Sequence, residues 1–131
     1  MGDFNDEPFD VSLVTHALST RQANKVVNAK IPLLWNMMWP LHGDRARHAD
    51  GSFYFDNQPN MLDQFLVNRH MIVENAPLHF DESSVPILRF PGTSHGGDYP
   101  RPIPFGGMGK PVDPNGYSDH FPIGARVRER T

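Results

Sequence analysis

Between residues 91 and 117 the chain carries Gly96-Gly97, Pro100, Pro102, Pro104 and Gly106-Gly107, and this punctuation limits the fold more than any other feature. Proline fixes φ and lacks a backbone donor, and glycine costs extra entropy when ordered, so no long helix or strand crosses the segment. With 13 Pro and 11 Gly among 131 residues, the remaining elements must be short as well. A loop of this length is uncommon in a compact domain and is usually functional or disordered. The length suits one domain, and 38% hydrophobic residues supply a real core. The absence of cysteine excludes disulfides and thiol chemistry. A net charge of −3 gives no global attraction for nucleic acid. No apolar run is long enough for stable membrane insertion.

Outside that segment the expected pattern is mixed α/β. Asp10 is placed to cap a short helix with Val11, Leu13, Val14, Ala17 and Leu18 on its apolar stripe. Val26 and Val27 suggest a second helix. Pro32 suits a first helical position, and Leu33, Leu34, Met37, Met38 and Leu41 predict a third, with Trp35 and Trp39 on one side. Phe53-Tyr54-Phe55 is strongly β-prone and is followed by a turn over residues 57–60. Residues 61–68 read as an interior strand, with Met61, Asp63, Phe65 and Val67 on one face and Leu62, Gln64, Leu66 and Asn68 on the other. A turn of helix over 70–74, short strands over 78–80 and 85–90, and a last strand after His120 complete the pattern.

Two ends of the chain carry the chemistry. Gly2-Asp3-Phe4-Asn5-Asp6-Glu7-Pro8 holds three carboxylates and one carboxamide in seven residues. In an extended segment Asp3 and Asn5 share a face, which sets an anionic oxygen beside an amide that donates or accepts. Hard cations favour such oxygens, and an amide N–H steadies a phosphoryl oxygen. An acidic turn is the plainer account of the same residues. An EF-hand is not indicated, since the Gly at its sixth position and its distant Glu are missing. Near the other end, Ser118-Asp119-His120 stands before an alternating apolar run, with His120 on the face opposite Phe121, Ile123, Ala125 and Val127. Between them, Asp63 in an apolar strand needs a partner, because an unpaired buried carboxylate costs several kcal/mol or is neutralised. Histidine is the natural one. His42 and His48 lack the spacing of a metal pair. Phe105-Gly106-Gly107-Met108-Gly109-Lys110 lacks the phosphate-loop pattern. Arg126, Arg128 and Arg130 suit a solubilising strand edge.

Gly-Asp-Phe-Asn early, an apolar strand with Asp63 midway and Ser-Asp-His late resemble the endonuclease/exonuclease/phosphatase superfamily, the fold of pancreatic deoxyribonuclease and the abasic-site endonucleases. The resemblance spans nearly the whole chain and implies part of a two-sheet αββα sandwich with mostly antiparallel strands. It assigns Asp3 to orienting or deprotonating water and Asn5 to steadying a phosphoryl oxygen. Asp119 would join Asp3 at a Mg²⁺ or Mn²⁺ and phosphate site. His120 would assist proton transfer, and Asp63 would orient a histidine. The implied activity is metal-dependent hydrolysis of a phosphoester, of the phosphodiesterase or nuclease type. The substrate class stays open, and nucleic acid is permitted without being favoured by charge.

The family's first half contributes a metal-binding Glu, an Asn and a central His that have no counterpart before Met1, and Glu7, Glu74, Glu82 and Glu129 lie in other contexts. The expectation is therefore a second half-domain spanning residues 1–131. Such a half would expose an apolar sheet face and associate with itself or with a polypeptide carrying the other half. It would bind Mg²⁺ weakly and hydrolyse slowly or not at all. The alternative is a non-catalytic remnant or interaction module that keeps the same half fold.

Overall fold

The structure, a computed structural model, describes residues 1–43, 51–97, 100–107 and 109–130. Its strands are β1 (Gly2–Asp3), β2 (Ser19–Thr20), β3 (Leu34–Asn36), β4 (Phe53–Phe55), β5 (Gln58–Asn60), β6 (Asp63–Gln64), β7 (Leu66–Val67), β8 (Leu78–Asp81) and β9 (Arg126–Glu129). Two short α-helices, α1 (Ala23–Asn28) and α2 (Trp39–Gly43), flank β3. The fold is mixed α/β with mostly antiparallel pairing. Among the described residues the strands form four small sheets: β1-β6, β2-β3-β7, β4-β5 and β8-β9. The one parallel pairing is β2 with β3. No helix among the described residues is long and apolar enough to cross a membrane.

The core gathers where these sheets meet. Val26, Trp35, Met37, Met38, Met61 and Phe65 are buried together there. Three polar contacts fix the frame inside it. Asn36 Nδ2 donates to Gln64 Oε1 at 3.0 Å, and Asn36 Oδ1 accepts from the Met38 N–H at 2.9 Å. Gln64 Nε2 in turn donates to the Asp6 carbonyl at 3.0 Å, tying the acidic opening turn to the core. Buried polar side chains are tolerated when they are paired in this way.

Four expectations change. The helix expected from Pro32 to Leu41 is instead strand β3 followed by α2. The Leu-Met-Trp spacing fits a helix, but β3 has pairing partners on both sides and Asn36 has a buried partner on β6, so tertiary contacts decide. The expected interior strand over 61–68 breaks at Phe65. Its first part pairs with β1 and its second with β3, while the Phe65 carbonyl accepts from the Met37 N–H at 2.9 Å. Alternation fails at that break, and Gln64 and Phe65 are both buried. Residues 85–90 do not form a strand; Ile87 makes a single bridge to Ile123, between prolines at 86 and 91 that cannot donate. The first helix is a π-helical turn over Ser12–His16, with Leu13 buried and Val11 and Val14 exposed. Asp10 does not cap it; its Oδ2 accepts from the Glu7 N–H at 2.8 Å.

Strands β4 and β8 lie where the β-prone runs place them, but residues 58–60, expected as part of a turn, form β5 and pair with β4; Asn68 caps a 3-10 turn over Arg69–Met71 through its side chain. The last strand starts later than expected, at Arg126. The long loop is tied down by its own backbone: Ile103 N–H donates to Thr93 O at 3.0 Å and Tyr117 N–H to Ile103 O at 2.9 Å. Gly116 is required there, since a Cβ would overlap the Pro104 carbonyl. His48 and its neighbours at 44–50 lie outside the described residues.

β9 is held to β8 by more than its ladder. Asp81 accepts from the Ser83 hydroxyl at 2.6 Å and from Arg128 Nη2 at 2.6 Å. The Ser83 hydrogen bond, then Arg128, lower its carboxyl from the usual 3.8 to about 2. A carboxyl depressed by folding adds stability above its unfolded value and loses it as pH falls through the folded one. Denaturation midpoints of the wild type are therefore expected to fall between pH 3.8 and about 2, and this part of the fall should vanish in Asp81→Asn. Urea titrations across that range check it.

Candidate active site

β1 and β6 run antiparallel with Asp3 directly opposite Asp63. Opposed residues project to one face of paired strands, and like charges there repel. Such a pair calls for a cation or a proton donor between the carboxylates. One is in reach: His120 Nδ1 lies 2.7 Å from Asp63 Oδ2, with both side chains largely buried. An ionised carboxylate only accepts, so beside an ionised Asp63 it is Nδ1 that donates. Ligand atoms of Asp3, Asp63 and His120 all lie within 4.8 Å of one another.

Local structure holds each of the three. The buried Ser52 hydroxyl accepts from the backbone N–H groups of Leu62 (3.2 Å) and Asp63 (3.1 Å). The Ser52 carbonyl accepts from the Phe121 N–H at 2.7 Å, so one residue positions both the strand of Asp63 and the segment of His120. The His120 N–H donates to Ser118 Oγ at 3.1 Å, and its ring packs on Phe53 with centroids 4.8 Å apart. Asp3 Oδ1 accepts from the Asn5 N–H at 2.9 Å. That turn puts Asn5 at φ +53°, a left-handed conformation that asparagine adopts more readily than most residues.

The sequence-predicted site residues thus fall into three groups. Asp3, Asp63 and His120 converge. Asn5 is joined to Asp3 through its backbone, with an exposed side chain. Asp119 lies outside the three-residue cluster, exposed, on the wall of a groove that also includes Phe53 and His95. Three further residues shape the site although the sequence did not single them out for it: Ser52 and Phe53, and Glu7, whose Oε1 accepts from the Met61 N–H at 3.1 Å. Burial raises the Glu7 carboxyl above its usual value, opposed by that Met61 hydrogen bond. Only the turn composition around Ser52 and the aromatic run at 53–55 marked the place.

The donor set suits a hard divalent ion. Octahedral Mg²⁺ at roughly 2.0–2.1 Å from each ligand leaves opposite ligands about 4.2 Å apart. Oxygens within 4.8 Å of one another are near enough for one ion to contact both. The two carboxylates also fit Mn²⁺, with the imidazole engaged by Asp63 through Nδ1.

A match to the Endonuclease/Exonuclease/phosphatase family covers residues 1–129. The chain belongs to this family. No curated protein and no solved structure matches the chain. Membership of the endonuclease/exonuclease/phosphatase family brings a nuclease- or phosphatase-type fold and, typically, dependence on a divalent metal. In this chain Ser52 ties the strand of Asp63 to the segment of His120. Ser52→Ala leaves two backbone donors without their acceptor and is expected to cost about 1–3 kcal/mol. Chemical denaturation measures the loss, and an unchanged midpoint would remove Ser52 from this role.

Proposed function

We propose that this protein hydrolyses a phosphoester with the help of Mg²⁺ or Mn²⁺. The observation that carries the reading is the convergence of Asp3, Asp63 and His120, drawn from three distant parts of the chain, on one face of the β1-β6 ribbon. Asp63 fixes the ring of His120 and its tautomer, so Nε2 is the atom that takes or returns a proton. Asp3 holds the metal or the attacking water. Asn5 and Asp119 flank the phosphoryl group, the first as a donor to its oxygen and the second as a further ligand. A bound divalent ion would offset charge on the attacking and leaving oxygens. Two or three protein ligands hold Mg²⁺ weakly, so turnover by the isolated chain is slow.

Hydrolysis of bis(p-nitrophenyl) phosphate tests the reading. Slow release of p-nitrophenol that requires Mg²⁺ or Mn²⁺ and stops with EDTA is expected. His120→Ala should lower it by about 10²-fold or more, the usual range for an acid or base group. Asp63→Asn should lower it too, because an amide no longer fixes the tautomer. Equal rates for wild type and His120→Ala would overturn the proposal. Binding of Mn²⁺, followed by electron paramagnetic resonance and weakened by Asp3→Asn, gives a readout that does not depend on turnover.

A further inference from the structure

The face of Phe53 that lies against His120 belongs to a residue that also opens onto a groove of about 570 Å³. One wall is the hairpin strand β4, and the other is the Pro- and Gly-rich loop, which places Ile103, Pro104 and Pro111 against it. Its lining takes in Asp119, the chain neighbour of His120, and Phe55, two residues along β4 from the Phe53 that packs on His120. Phe55 is 70% exposed, a costly position for a phenyl ring on a two-stranded hairpin. Apolar, concave surface with a few polar groups at its rim is the usual character of a small-ligand site.

Charge narrows the ligand. Arg101 and Lys110 line the groove, but Asp56, Asp113 and Asp119 line it too, so it is no channel for a polyanion. Phe53, Tyr54 and Phe55 contribute aromatic surface to it, and flat apolar faces select flat partners by stacking. We propose that this groove receives the organic part of the phosphoester, a single planar aromatic ring stacked on Phe55, while its phosphoryl group sits at Asp63 and His120. The inference rests on the phosphoesterase reading and adds the substrate class: monomeric aryl or nucleoside phosphoesters, in preference to polynucleotides and to aliphatic phosphoesters. The loop over 91–117 then acts in specificity, since it forms one whole wall.

Titrations with Mg²⁺ present, followed by NMR shifts of the Phe55 and Ile103 resonances, test this without turnover. p-Nitrophenyl phosphate represents aryl esters, thymidine 5′-monophosphate the nucleoside source, and methyl phosphate the aliphatic control. At least one ring-bearing ligand should shift those resonances and bind about tenfold more tightly than methyl phosphate. The ring ligand that does so identifies the source. Phe55→Ala and Phe55→Leu should both collapse the preference, whereas Phe55→Trp should keep it; loss on Phe55→Leu separates ring stacking from mere apolar bulk. Equal affinities for ring-bearing and methyl phosphates, or a preference that survives Phe55→Ala, would overturn the inference even if hydrolysis were established. Ring binding at Phe55 by a protein whose His120→Ala variant hydrolyses as fast as wild type would sink the phosphoesterase reading instead, and with it the substrate assignment.

Discussion

The hydroxyl and carbonyl of one buried serine hold the site in register. Ser52 accepts two N–H groups from the strand of Asp63 and one from Phe121, the neighbour of His120. Strands of two residues have little ladder to fix them, so β6 needs anchorage from outside its own sheet. There is no room to vary the approach: a Cβ on Gly51 would press on the backbone of Asn60 and Phe53. The 2.7 Å contact between Asp63 and His120 is the consequence of that anchorage.

Polar pairs extend the same logic inward. Asn36 and Gln64 link the central strand of the three-stranded sheet to β6, and Gln64 links β6 to the turn after Asp3. An amide pair buried among methionines and aromatics is worth little net stability, yet it penalises any register that leaves it unpaired. Small sheets that would otherwise slide are pinned by directional contacts. The face formed by Asp3 and Asp63 is thereby held in place from the buried side of the same ribbon, through Gln64.

What the sequence disclosed was chemistry more than geometry. Asp63 in an apolar run demanded a partner, and that burial argument led to a histidine. The β-prone run at 53–55 and the strand near 78–80 were legible because aromatic and branched residues dominate them. The helix expected over 32–41 failed because its apolar spacing fits either element, and the deciding contacts come from Gln64 and from β2 and β7. The break at Phe65 was hidden for a similar reason: alternation describes a strand with one neighbour per edge, and residues 63–67 change neighbours midway. Asp119 and His120 are adjacent in sequence, yet His120 turns toward Asp63 while Asp119 lines the groove. A serine at position 52 looks like any loop residue until both segments it joins are in view.

The contacts that bring distant segments of this chain together close large loops. Asp63 and His120 are 57 positions apart, and the β8-β9 contact between Asp81 and Arg128 spans 47. Contacts of such separation incur the entropy of closing large loops before they return any energy, which places them late in folding and makes folding slow. The imidazole–carboxylate contact therefore exists only once a loop of 57 positions has been closed.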